Sequence, residues 1–157
     1  MTSRILISLR VRAGARRAFD VFVNEIGAWW QPNALFRFTP RGPGLLAFEP
    51  GLNGRMTETG PDGEVFEIGR ITVWEPGIKL AFTWRQASFA SDELTLVEVS
   101  FETVGPETRV TVEHRGWDTV AQAHVARHRF PDAVFLRRHA DWWRVLLAGV
   151  AERIESG

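Results

Sequence analysis

The sequence predicts an α+β domain. A strongly curved antiparallel sheet of six to seven strands wraps around a long C-terminal helix, and short helical structure follows the first strand. Three observations predict it. Glycine and proline punctuate residues 40–106 and leave short strand-length runs between them. The longer runs alternate apolar and polar residues, so each has one face for a core and one for water. Residues 131–155 carry an apolar stripe at helical spacing.

The elements follow in order. In "ILISLRV", Ile5, Ile7, Leu9 and Val11 point one way and Ser8 and Arg10 the other, which is a half-buried strand. From Ala15 to Ile26, the residues Ala18, Phe19, Phe22, Val23 and Ile26 recur at helical spacing. Gly27 is expected to end that helix, and "AWWQPN" to follow as an irregular aromatic segment. Strands are expected near 44–49, 54–59, 64–74, 78–86, 93–104 and 108–115. The stripe of the last helix is Phe135, His139, Trp142, Trp143, Leu146, Leu147, Val150 and Ile154, with Arg137, Arg138, Arg144, Glu152 and Arg153 off its centre. More than twenty residues at 1.5 Å each make a helix of over about 30 Å, long enough to cross a whole sheet.

The sheet surface for that helix starts at "VWEPGIKLAFTWR". With Pro76-Gly77 in mid-turn, Val73 faces Leu80, Ile71 faces Phe82 and Gly69 faces Trp84, all on one face. Gly69 then leaves room for Trp84 to lie across it, and Trp74 falls on the opposite face. The next two strands offer Val97, Val99 and Phe101, then Val110, Val112 and His114, each set backed by polar neighbours. The aromatic bulk has two readings: a solid core, or the wall of a cavity.

Composition narrows the function classes. A chain of 157 residues suits one domain. Formal net charge is zero, so nothing argues for nucleic acid or an anionic membrane as partner. The absence of Cys excludes disulfides, thiolate metal sites and a cysteine nucleophile, and is compatible with a reducing cytoplasm. Lys79 is the sole lysine; codon usage in a GC-rich bacterial genome is a simpler account than carboxylate recognition by arginine. The N-terminus is broken by Arg4, Arg10 and Arg12 and has no signal-peptide core, and no uncharged apolar run approaches the roughly 18 residues of a membrane span.

Polar candidates are few. His114 lies on an apolar strand face, where an imidazole must be hydrogen-bonded; a structural histidine beside Trp117 is the plain reading, a ligand contact or general base the sharper one. Glu67 shares the parity of Gly69 and Ile71, and Glu58 that of Met56. Either carboxylate could anchor a ligand at a cavity mouth, against the plainer reading of a solvated strand end. Without two convergent groups an acid–base mechanism has no support, and no catalytic residue is assigned. His124 and His128 in "HVARH" share a helical face, but Val125 stands where the metalloprotease motif has Glu and no third ligand is evident. The glycine-containing stretches "GPGLL" and "GLNGR" read as turns rather than phosphate loops. No metal and no cofactor are expected.

Several stretches carry a family resemblance: "ARRAFDVFVN", Trp29-Trp30, "GEVFEIGRITVWEPGIKLAFTWR", "VEVSFETVGPETRVTVEHRGW", and a last helix with Trp143, Leu147, Val150 and Ile154. In this order they resemble the START-related superfamily (SRPBCC, the Bet v-like helix-grip fold), in the branch named after the activator of the heat-shock-protein-90 ATPase. That branch usually carries Gly-Trp in the last helix; here the pair is Trp142-Trp143. The resemblance implies a cavity between the curved sheet and the long helix, used in related proteins for lipids, polyketides or other apolar molecules. The residues expected to line it are Trp30, Phe48 and Met56; Glu67, Ile71, Phe82 and Trp84 of the central hairpin; Val99, Phe101, His114 and Trp117 of the next two strands; and Trp143, Leu147 and Val150 of the helix. Segments 27–43 and 116–133 are expected to frame its entrance.

Three functions follow from that resemblance. The first is binding of a small hydrophobic or amphipathic molecule, in a cytoplasmic protein that could form a homodimer. The second is a cyclase or aromatase-type enzyme using the same cavity, where enforced proximity supplies much of the rate. The third is a co-chaperone-like interaction domain. It is weakened because the chain starts at the first strand, whereas the eukaryotic activator has a further N-terminal domain.

Overall fold

A computed structural model of the chain describes residues 4–31, 38–39, 44–85, 94–116 and 132–156. Its elements are β1 (Arg4–Val11), α1 (Ala15–Asn24), α2 (Ile26–Trp29), β2 (Leu45–Phe48), β3 (Arg55–Thr59), β4 (Val65–Glu75), β5 (Lys79–Trp84), β6 (Thr95–Val104), β7 (Glu107–Arg115) and α3 (Asp132–Ser156). The strands form one antiparallel sheet in the order β1-β7-β6-β5-β4-β3-β2. Strands β2 to β7 are a meander, and β1 closes onto β7 from the far end of the sequence. The inner face packs with α1, α2 and α3 around one core, which is the helix-grip architecture.

The outer face explains why the sheet needs only one covered side. Charges alternate across four strands: Lys79 pairs with Glu98 at 2.9 Å, Glu98 with Arg115 at 3.0 Å, Arg115 also with Glu113, and Glu113 with Arg4 at 3.4 Å. Hydrogen bonds and opposite charges from Lys79 and Arg115 lower the pKa of Glu98. Such a face is content in water.

Strand β4 departs from simple alternation. Its pairing with β3 slips between Met56 and Thr57, so that Met56 opposes Gly69 while Thr57 opposes Glu67. Its pairing with β5 slips again between Ile71 and Val73. Each slip inserts an extra residue, Ile68 and Thr72, and bends the strand. Ile71 faces Phe82 as expected, but Val73 faces Ala81, not Leu80, and Trp74 faces Leu80. Trp74 is therefore on the inner face, half-buried with its ring 5.1 Å from that of Phe19. The reason lies in the turn: Glu75 pairs with Lys79 across three residues, not two, and Thr72 restores the register at Ile71. Gly69 makes room for the backbone and not for an indole, since a Cβ there would lie 1.7 Å from the Thr83 carbonyl oxygen.

The first helix also ends earlier than expected. It stops at Asn24, and a short second helix runs through Gly27 to Trp29. The break lets Trp29 fold back, where its Nε1 donates to the carbonyls of Val21 (3.1 Å) and Phe22 (3.2 Å) in the last turn of α1; the Val21 carbonyl also accepts the Glu25 N–H. Glu25 in the break accepts from Arg153 of α3 at 2.7 Å. The α3 stripe is buried as expected at His139, Trp142, Trp143, Leu146, Leu147, Val150 and Ile154. Gly149 lets α3 approach α2: a Cβ at that position would stand 2.5 Å from the Trp29 carbonyl oxygen.

Candidate functional site

Trp84 ends β5 and lies at the centre of the inner face, fully buried. Its ring centroid is 4.7 Å from that of Phe38, 4.9 Å from His114, 5.8 Å from Trp30 and 5.9 Å from Trp143. Strands β5 and β7, helix α3, Trp30 just after α2 and the 38–39 segment thus bring aromatic rings to one place. A second group of rings lies further along the sheet. There Phe48 meets Phe82 at 5.1 Å, and Phe101 meets Phe19 at 5.3 Å.

The polar groups of the Trp84 cluster form a directed chain. Thr95 Oγ1 donates to the Trp84 carbonyl at 3.0 Å, so it accepts from His114 Nε2 at 2.7 Å. With that nitrogen protonated, His114 Nδ1 is the acceptor for Trp143 Nε1–H at 3.1 Å. The pattern fixes one neutral tautomer. His139 of α3 faces His114 with ring centroids 5.0 Å apart. Burial holds His139 down to about 3, and burial followed by the nearby His139 charge holds His114 well below its usual value. Both rings are neutral at physiological pH, so neither offers a charge to a ligand.

Four tryptophans are almost wholly buried, and three of them donate their N–H. Trp29 donates to α1, Trp142 to the Gln31 carbonyl at 2.9 Å, and Trp143 to His114. Trp84 is the exception: its buried Nε1 has no hydrogen-bond partner among the described residues. The arrangement is therefore an apolar, aromatic interior in which the Trp84 indole, unlike the other three, makes no hydrogen bond among the described residues.

Of the residues expected to line a cavity, Phe48, Met56, Ile71, Phe82, Trp84, Val99, Phe101, Trp143, Leu147 and Val150 all belong to this single buried cluster, half-buried Trp30 packs against it, and buried His114 lies beside Trp84. Glu67 does not. The bulge at Ile68 turns it to the outer face, where it pairs with Arg70 at 3.0 Å. Trp117, His124 and His128 lie outside the described residues, as does most of the expected entrance. Glu58 is not at a solvated strand end: it is 5% exposed and accepts from Thr39 Oγ1 at 2.8 Å. Sequence reasoning missed Phe38, Thr95 and the pairing of His139 with His114. A histidine in the middle of an apolar helical stripe was the available signal for the last.

An antiparallel curved sheet gripping a long helix around an aromatic interior defines a START-related, helix-grip domain. The family model described as "Activator of Hsp90 ATPase homolog 1-like protein" matches residues 19–134, and the chain belongs to that family. No curated protein matches the sequence. Among solved structures, protein MLL2253 from Mesorhizobium loti is 14% identical, with a TM-score of 0.66 over 98% of this chain and 97% of that one. The Aha1 dimer from Colwellia psychrerythraea is 14% identical, with a TM-score of 0.62 over 97% and 96%. These two share the fold. An anthrahydroquino-gamma-pyrone synthase, Txn09, solved as a complex, is 29% identical, with a TM-score of 0.55 over 95% of both chains. No helix among the described residues is long and apolar enough to cross a membrane.

Proposed function

We propose that the protein binds a small hydrophobic or amphipathic molecule between the curved sheet and α3. The observation that carries this reading is Trp84 Nε1. An unmade hydrogen bond at a buried donor costs roughly 1–3 kcal/mol. The other three buried indoles avoid that cost with backbone or side-chain acceptors. A ligand with an apolar body and an oxygen acceptor would use this donor, which has no partner among the described residues. The rings around Trp84 offer such a body flat, rigid surfaces.

The test is a titration with N-phenyl-1-naphthylamine. We expect one saturable site, with probe emission sensitised by tryptophan. Native mass spectrometry of protein purified from its own host should show a retained small molecule. Uptake that rises linearly without saturation, together with a clean apo mass, would overturn the reading.

A second reading is a cyclase or aromatase-type enzyme using the same interior. The similarity to Txn09, a synthase by its description, favours it. Here the contribution of the chain is shape: rigid rings that hold a flexible substrate near its reactive geometry. Turnover of an aromatic precursor by apo protein would favour this reading over simple binding.

A further inference from the structure

Glu58 is out of place as a purely structural residue. It lies on the inner face of β3, opposite Leu46 on one side and Phe66 on the other. Its side chain is 5% exposed, and its hydrogen-bond partner among the described residues is the neutral hydroxyl of Thr39. A carboxyl group set among apolar neighbours is costly, and an aliphatic residue would serve packing better. The partner is equally unusual. Thr39 follows Phe38, whose ring is 3% exposed and sits 4.7 Å from Trp84 and 5.8 Å from Trp30. Two consecutive side chains therefore place an aromatic ring in the tryptophan slot and an O–H on the Glu58 carboxyl.

Resting on the binding reading above, we propose that Phe38 and Thr39 stand in the ligand's own place. The place that Phe38 fills against Trp30 and Trp84, together with Glu58, forms one subsite for a hydroxylated aromatic molecule. The Phe38 ring holds the position of the ligand's ring. The Thr39 hydroxyl holds that of a phenolic or enolic O–H, and Glu58 Oε1 is the acceptor that selects it. Phe38 and Thr39 leave these positions when the ligand enters, so the empty protein keeps both its aromatic slot and its carboxyl satisfied. The subsite selects by hydroxyl, whereas Trp84 Nε1 supplies a donor for an oxygen elsewhere on the same molecule.

The test uses two probes of nearly equal shape, 4-phenylphenol and 4-methylbiphenyl, titrated by quenching of tryptophan fluorescence. Wild-type protein should prefer the phenol by about tenfold, as expected for a hydrogen bond to a carboxyl group. Phe38→Ala should tighten both probes, because the competing ring is gone. Thr39→Val should raise the preference for the phenol, because the competing hydroxyl is gone. Glu58→Met should bring the preference close to one, with circular dichroism unchanged. If Glu58→Met does not fold, Glu58→Gln and the Thr39→Val ratio decide the matter. Both probes binding equally to every variant would overturn the Glu58 subsite and leave the binding reading standing. A preference unchanged in Glu58→Met, or affinities unmoved by Phe38→Ala, would also overturn it. No saturable binding of either probe by wild type or Phe38→Ala would bring down the binding reading and this subsite with it.

Discussion

The β6–β7 hairpin and strand β4 belong to the same sheet and obey different rules. From Leu96↔Arg115 to Val104↔Glu107 the β6–β7 ladder runs without a slip, closed by the two-residue turn Gly105-Pro106. Its inward residues are Val97, Val99 and Phe101 against Val110, Val112 and His114, in strict alternation. In β4 the inward residues are Phe66, Ile68, Ile71 and Trp74, spaced by two, three and three. The regular hairpin gives the core an unbroken row of buried side chains. The bulged strand bends the sheet where β5 must carry Trp84 to the centre of the interior. Alternation tells which face a residue takes only where no bulge intervenes.

The largest test of that contrast is a pair of deletions. Removing Thr111 from β7 shifts every following residue by one and turns His114 out of the core, so the protein should fail to fold. Removing Thr72 from β4 takes out an extra residue and leaves Ile71 and Trp74 on the inner face, so a folded protein with a lower urea midpoint is expected. Equal losses in circular dichroism would show that the slip at Thr72 is as essential as the regular ladder.

Next in size is the long helix α3. Leu147 is 1% exposed, and Leu147→Ala should cost about 2–5 kcal/mol in urea titrations. Arg144, exposed and paired with Asp141 within its own helix, should give no measurable change as Arg144→Ala.

An acid titration sharpens the contrast at its polar point. His139 is held to about 3 against an ordinary 6.5, so between those values the unfolded chain binds a proton that the core refuses. Stability present above pH 6.5 should therefore fall as the pH drops toward 3. His139→Phe should flatten the decline between pH 6.5 and 4.5, above the range where carboxylates such as Glu49, held at about 2 by Arg55, take up protons. An identical slope in the variant would place the pH dependence elsewhere.

The smallest loss expected of an inward-facing residue belongs to Trp74, whose half-buried ring edges onto Phe19. Trp74→Ser should lose on the order of 1–2 kcal/mol, less than the roughly 3–5 kcal/mol of a fully buried ring. No loss at all would put Trp74 back on the outer face.

These same residues show what was legible in the sequence. The regular ladder and the α3 stripe were, because burial there follows a fixed period of two or 3.6. The pairing of Ile71 with Phe82 was also legible, although the turn beside it was misjudged, because an extra turn residue and an extra strand residue cancel at that point. Glu67 and Trp74 were placed on the wrong faces for one reason: a bulge is a tertiary compromise that leaves no mark in local composition. Glu58 was misjudged differently. Its parity was right, but nothing in the sequence announced that Thr39 would bond it. The end of α1 was hidden as well, since the break at Glu25 depends on an indole returning from four residues further on.

The place of β1 in the sheet sets a timetable. The strand is made before the rest of the sheet, yet its sheet partner among the described residues is β7, whose paired residues lie about a hundred positions later. A ribosome that has made β1 must add six more strands before Ile5, Ile7, Leu9 and Val11 can find His114, Val112, Val110 and Thr108. Closing so long a loop is entropically costly and slows folding relative to the local hairpins of the meander. Docking of β1 is therefore the late step, and a growing chain stalled before β7 carries β1 as an unpaired strand. In a pulse-labelled hydrogen-exchange experiment, amides of β6 should gain protection before those of β1.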